Sequence, residues 1–464
     1  MDVLMACAEL APVVKASDLA DDVAALARTV SRLDHRVTVV LPKYPQTEEA
    51  GLMLARRLTP LRFDVGGETW SATQFDTRLG SRVELTLIDL PGDVLDGGSV
   101  YGEDEGRRFG LFARAVEALV RAQHGAGTGP DVVHAHDWST ALVIHLLRDL
   151  DVRRVLTIHD ARHQGRFPKA LAESIGLEAS ALGGGVEGDD IGFLEAGLVA
   201  ADRIVVVSET YAEHLATAEG GAGLDRVFTA RADAVHGVLH GVDHSHWSPS
   251  TDPHLAARYD AEAVANKGRC KAALLQELDF SLSPERPLLV FCGPLDASSG
   301  VDLVARALPD LVRSGARVVI GGAGDAALEG ALDDATAGFD DDAAFLGAVS
   351  TPLAHRLLAA ADAILVPARH APSGLACQRG QRYGAVPIAR AIPGIADVVV
   401  DCDAALDTGT GFLFHEDESR ALVGAVGRAL GAMQRPGWGR LRRRVMRLDR
   451  SGEMAGRRYV QLYR

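Results

Sequence analysis

Cysteine is scarce and unpaired in this sequence. Five residues in 464, Cys7, Cys270, Cys292, Cys377 and Cys402, include no C-x-x-C pair. An odd count without such pairs argues against a disulfide framework and a structural zinc site, and points to a reducing cytoplasm. Long apolar runs are missing too: no stretch reaches the roughly 18 residues of a membrane span, so no membrane partner is expected. The first residues, MDVLMACAELAPVV, carry Asp2 and Glu9 where a secretory leader would carry basic residues, so no leader is expected. Basic charge is in deficit. Lys and Arg number 48 against 63 Asp and Glu, a net charge of −15, which argues against nucleic acid, whose phosphates need a basic footprint. Any anionic ligand must meet a locally positive pocket in an acidic protein.

What is present is the patterning of a large α/β protein. The apolar fraction is 47%, which argues against disorder, and the length exceeds what one hydrophobic core usually serves, so two domains are expected. Residues 2–9 read as a strand, and residues 18–33 place Leu19, Val23, Leu26 and Val30 on one helical face. Further strands are predicted over 36–42, 82–90, 154–158, 203–208 and 288–292, with a helix over 107–123 and another over 191–201. The stretch 365–387, LVPARHAPSGLACQRGQRYGAVP, reads as a buried strand, a loop and a helix opening. Pro372, Ser373 and Gly374 supply turn chemistry there, so the next helix can face an anion with its first N–H groups. A glycine-rich acidic segment, 183–190, reads as a surface loop, with the acceptor side as one place for it. The arginines from Arg440 to Arg458 read as a solvated helix face.

Several short motifs share one order along the chain. They are Lys15-Ala16-Ser17-Asp18-Leu19, His134-Ala135-His136-Asp137-Trp138, Thr157-Ile158-His159-Asp160, His240-Gly241-Val242-Asp243 with Trp247, Gly293-Pro294-Leu295 with Ser299-Gly300, Gly322-Ala323-Gly324-Asp325, and Ala371-Pro372-Ser373-Gly374-Leu375. Together they resemble the bacterial glycogen and starch synthases, in which they read K-T-G-G-L, H-A-H-D-W, T-x-H-N, N-G-I-D-x-x-x-W, S-R-L-x-x-Q-K-G, G-x-G-D and E-P-C-G-L. The resemblance implies a GT-B fold, two Rossmann-like doubly wound domains facing across a cleft. It implies an N-terminal domain over 1–245 on the acceptor side, a nucleotide-sugar domain over 246–435, and a C-terminal helix over 436–464 returning to the first. The family reaction it implies is retaining transfer of glucose from ADP-glucose to an α-1,4-glucan, with neither metal nor other cofactor.

By the same resemblance Asp137 touches the glucosyl unit, His159 supports the developing positive charge, and Lys15, Gly324, Gly374 and Leu375 belong to the nucleotide-sugar site. The family's arginine, lysine and glutamate fall on Pro294, Ser299 and Ala371. Ser17 and Asp18 replace two glycines, and Asp18 reads as the cap of the following helix. Departures converging on the diphosphate and sugar positions imply a homologue with standard transfer lost or reduced, binding a glucan or a protein partner. The alternative is an active transferase, with this or another donor, using a substitute cation near the donor loop: Arg369 first, or Arg379 or Arg382. Arg369 also reads as a surface residue or the partner of Asp362. His134 and His136 read as a strand-end pair beside Trp138, with no third metal ligand at natural spacing.

Overall fold

The computed structural model describes residues 1–92, 94–95, 97, 99–182 and 190–464, so the acidic loop expected over 183–190 lies, apart from Asp190, outside the described residues. The chain forms two compact units, residues 1–240 with 452–464 and residues 241–451. In the first, twelve strands follow in chain order: β1 (Asp2–Ala6), β2 (Arg36–Pro42), β3 (Ala55–Arg56), β4 (Leu61–Val65), β5 (Glu68–Leu79), β6 (Val83–Asp89), β7 (Val132–His136), β8 (Arg153–Ile158), β9 (Arg166–Pro168), β10 (Asp190–Gly192), β11 (Arg203–Val206) and β12 (Val235–Gly237). Apart from the small β9–β10 pair they make one sheet, ordered β12-β11-β8-β7-β1-β2-β6-β5-β3 with β4 beside β5. From β6 through β11 this is the doubly wound order 3-2-1-4-5-6, with a switch point between β1 and β7.

The central strands are apolar on both faces because helices cover both. Val3, Leu4 and Met5 of β1 and Val132, Val133 and Ala135 of β7 are buried. The helix Asp18–Arg32 presents Leu19, Val23, Leu26 and Val30 to this core, each contributing roughly 1.5–3 kcal/mol on burial. Its cap is Ser17, not Asp18 as the sequence suggested. Ser17 has extended backbone and accepts the Leu19 N–H at 3.2 Å, which leaves Asp18 as the first helical residue, favourably placed against the helix dipole. The helix expected over 191–201 begins only at Phe193, since residues 190–192 pair with 166–168.

The second unit repeats the plan with β13 (Leu288–Cys292), β14 (Arg317–Gly321), β15 (Ala343–Phe345), β16 (Ala363–Val366), β17 (Val386–Arg390) and β18 (Phe412–Phe414). Their order is β15-β14-β13-β16-β17-β18, all parallel, with the switch point between β13 and β16. The single helix expected over 436–464 is two. In Gly437–Met446, Trp438, Leu441 and Val445 enter the second core. In Gly452–Leu462, Ala455, Tyr459 and Leu462 enter the first. Gly456 lets the latter helix lie against the helix Asp18–Arg32, because a Cβ there would stand 2.3 Å from Thr29. Among the described residues no helix is long and apolar enough to cross a membrane.

Candidate functional site

In each unit the expected site residues follow the carboxyl ends of strands at and beside the switch point, β1, β7 and β8 in the first and β13, β14 and β16 in the second, where open α/β sheets bind ligands. In the first unit the segment after β1 carries Lys15, whose ammonium lies 2.7 Å from Asp21 and is half exposed. Beneath it the fully buried Glu9 accepts the N–H groups of Ala16 at 2.6 Å and Ser17 at 2.7 Å, the Ser17 hydroxyl at 2.6 Å and the Tyr101 hydroxyl at 3.0 Å. Backbone donors that could face an anion are thus turned onto the chain's own carboxylate.

After β7 the chain enters the helix Asp137–Leu146 directly, with Asp137 in the left-handed region at φ 56°. Its carboxylate accepts the N–H groups of His159 at 2.6 Å and Asp160 at 3.3 Å. The structure therefore brings Asp137 and His159 together. Burial pushes the Asp137 carboxyl up to about 6, against the opposing pull of His159. Asp160, where the family has asparagine, is paired with Arg162 at 2.6 Å. Trp138 packs on Phe109, its ring centroid 5.2 Å away, and on Tyr101 and Phe167.

Behind these residues lies a buried polar cluster. Asp22, on the first helix, stands 3.4 Å from His159 Nδ1 and 3.3 Å from His240 Nδ1. Burial alone would raise the Asp22 carboxyl, but the two imidazoles outweigh it and hold the carboxyl below its usual range. Burial likewise opposes a charge on His159, yet the facing Asp137 and Asp22 raise its pKa; on His240 burial prevails and lowers it. His134 and His136 are depressed by burial and by their imidazole neighbours. Their rings lie 4.2 Å apart.

In the second unit the loop after β13 is closed by its own residues. Asp296 Oδ1 accepts Ser298 N–H, Ser298 Oγ–H and Ser299 N–H, each at 2.8 Å. Ser299 donates its hydroxyl to the Asp296 carbonyl and accepts the Val301 N–H, so it serves the start of the helix Val301–Arg313. Pro294 offers no donor at all. Gly300, at φ 69°, has Pro367 O where a Cβ would lie, 2.0 Å away, which ties this loop to the one after β16.

Arg369, on that second loop, is a bidentate partner of Asp302 at 2.7 and 2.9 Å, donates to Asp417 at 2.8 Å, and donates to the Ala297 carbonyl at 2.9 Å. The pairing with Asp362 left open by the sequence does not form: Asp362 takes Lys271 at 2.7 Å and Arg442 at 3.0 Å. Arg379 lies over the Trp247 ring, 4.5 Å from its centroid, and Arg382 donates to Ser248 at 2.9 Å. Gly324 N–H goes to Glu329 at 2.8 Å, and Asp325 caps the next helix through Ala327 and Leu328. Ala371 supplies no carboxylate, while Gly374 opens the helix Leu375–Arg382 at φ 57°, with Leu375 buried.

The residues that sequence reasoning passed over are Glu9, Asp22, Asp302 and Tyr459. Only Asp22 left a signal: one turn from Leu19 and Leu26, it is a carboxylate on the apolar stripe of its helix.

Comparison with known proteins covers both units. Residues 2–230 match the starch synthase catalytic domain and residues 286–432 the glycosyl transferases group 1 domain. A glycogen synthase of an Anaeromyxobacter species is 37% identical, covering 100% of this chain and 99% of its own, and one of Thioalkalivibrio sulfidiphilus is 36% identical with the same coverage. Among solved structures, the catalytic domain of starch synthase IV from Arabidopsis thaliana bound to ADP and acarbose superposes with a TM-score of 0.92. It is 29% identical, covering 100% of this chain and 98% of that one. Sucrose-phosphate synthase from Thermosynechococcus elongatus, at 17% identity and a TM-score of 0.64, shares the fold, with 100% of this chain and 98% of that one covered.

Proposed function

Because the chain belongs to the glycogen and starch synthase family and has its GT-B fold of two Rossmann-like domains, we propose that it is a glucan-binding member whose glucosyl transfer from ADP-glucose is lost or greatly reduced. The observation that carries this reading is Arg369. It is the first candidate for a replacement cation on the donor loop, and its guanidinium is held by Asp302, Asp417 and a backbone carbonyl. Withdrawing it from those carboxylates to meet a diphosphate would break charge-assisted, bidentate bonds and leave two acids beside the incoming anion. With Pro294 and Ser299 at the family's arginine and lysine positions, the departing diphosphate lacks both expected counter-charges. Loss of a single preorganised donor typically lowers turnover roughly 10²–10³-fold. Ala371 removes a third contact. The retained Asp137 and His159, joined by a 2.6 Å hydrogen bond, support sugar binding without chemistry. The cytoplasm is the compartment that suits five free cysteines.

The test is calorimetric titration with ADP, ADP-glucose and a maltooligosaccharide, alongside a turnover assay on the same sample. We expect oligosaccharide binding without ADP-glucose turnover. Turnover by the unmodified chain would overturn the reading and favour a substitute cation. The triple variant Pro294→Arg, Ser299→Lys, Ala371→Glu then asks whether the loss is recent, in which case glucan synthesis returns.

A further inference from the structure

We infer that Asp22, His159 and His240 form a binding site for one divalent first-row transition-metal ion, of the class that zinc and cobalt represent. The three donor atoms, one carboxylate oxygen and two imidazole Nδ1, lie within 4.8 Å of one another, and all three side chains are buried. Both spacings from Asp22 are those of ligands. Asp22 Oδ2 is 3.4 Å from His159 Nδ1 and 3.3 Å from His240 Nδ1, whereas a charge-assisted N–H···O bond settles at about 2.7–2.9 Å. Tetrahedral ligands bound at about 2.0–2.1 Å stand about 3.3–3.4 Å apart. Two imidazoles among three donors select transition metals over magnesium or calcium, which prefer all-oxygen sites.

The surroundings supply what a metal-bound histidine needs, an acceptor for its remote ring N–H. His159 Nε2 lies 3.2 Å from His136 Nδ1, and His240 Nε2 lies 2.7 Å from the Tyr459 hydroxyl. The second contact begins a buried relay: Tyr459 Oη to Thr157 Oγ1 at 3.0 Å, Thr157 to His134 Nε2 at 2.7 Å, and His134 Nδ1 to the Tyr463 hydroxyl at 2.9 Å. With His240 Nε2–H donating into Tyr459, each hydroxyl passes its proton onward and His134 Nδ1–H ends the chain on Tyr463. That polarity frees the His240 Nδ1 lone pair to face Asp22 and the ion. Without an ion the relay runs the other way and His240 Nδ1–H points at Asp22. The site joins three stretches far apart in sequence: the first helix, the end of β8 and the segment after β12. That distance is why the motif spacing around His134 and His136 did not show it.

This inference stands apart from the proposed loss of transfer, and its test uses no nucleotide. The full chain, stripped with a chelator, is titrated with Co²⁺ and read by its visible absorbance, then by competition with Zn²⁺ and by bound-metal analysis. We expect one equivalent with the intense d–d band of a low-coordinate site, displaced by zinc. His240→Asn installs the residue that the resembling family carries there. It should weaken binding at least about 10-fold, and Asp22→Asn should do the same. No band and less than one equivalent in the unmodified chain would overturn the assignment. So would unchanged affinity in either folded variant, which would place the ion elsewhere.

Discussion

A carboxylate that is buried and bent into the left-handed backbone region is costly to keep, and Asp137 is both, the N–H groups of His159 and Asp160 offsetting only part of the cost. Its carboxyl titrates at about 6 in the folded chain against 3.8 in the unfolded one, chiefly through burial. Between those values the folded state binds the extra proton. The associated stability is therefore complete below about pH 3.8 and is lost as pH rises through about 6, a change on the order of 3 kcal/mol. Asn keeps the acceptor oxygen, tolerates the positive φ and removes the charge. Asp137→Asn should therefore melt above the unmodified chain near neutral pH, with the difference closing towards about pH 4, as thermal denaturation across pH will read. A residue held at a cost in stability is consistent with the sugar-binding role proposed for it. Asp137 was legible in the sequence because H-A-H-D-W survives intact around it, and His159 because the threonine two residues before it is kept although Asp160 replaces the asparagine after it. Arg369 was legible only as a cation: its partners Asp302 and Asp417 lie 67 and 48 residues away, and nothing local announces them.

Single elements carry the next level. The strands could be read almost to the residue where apolar runs are bounded by turn chemistry, as at Arg36–Pro42 and Leu288–Cys292. The end of the chain could not, since whether a helix joins one core or the other depends on which apolar stripe meets which sheet. Gly437–Met446 and Gly452–Leu462 went opposite ways. The second of these helices is fixed to its sheet by polar contacts as well as by burial. Tyr459→Phe keeps the ring but removes the hydroxyl that meets buried His240 Nε2 and one of the two partners of the buried Thr157 hydroxyl, which keeps His134. It should cost about 1–3 kcal/mol in chemical denaturation, more than Tyr463→Phe at the end of the relay. Between β13 and its helix, Gly300→Ala must move a backbone carbonyl from 2.0 Å and hold alanine at positive φ. A loss of at least about 2 kcal/mol is expected, confined to the transition of the second unit.

At the scale of the whole chain, the first unit is assembled from residues 1–240 and 452–464, with the entire second unit intervening. Ending the chain after Ser451 removes Tyr459 and Tyr463 and uncovers the face of the first helix around Thr29, while the second unit keeps every residue it is built from. Scanning calorimetry should show the first unit's transition lowered and the second's unchanged; equal effects on both would contradict this division. The same arrangement sets an order of events during synthesis. At roughly 5–20 residues per second, the nascent first unit waits roughly 10–40 s after His240 for the residues that seal it. Through that interval His134, Thr157 and His240 lack their tyrosine partners while the later-made second unit can already close. The half that begins translation is thus the half that matures last, and its exposed sheet face is where a chaperone would have to act.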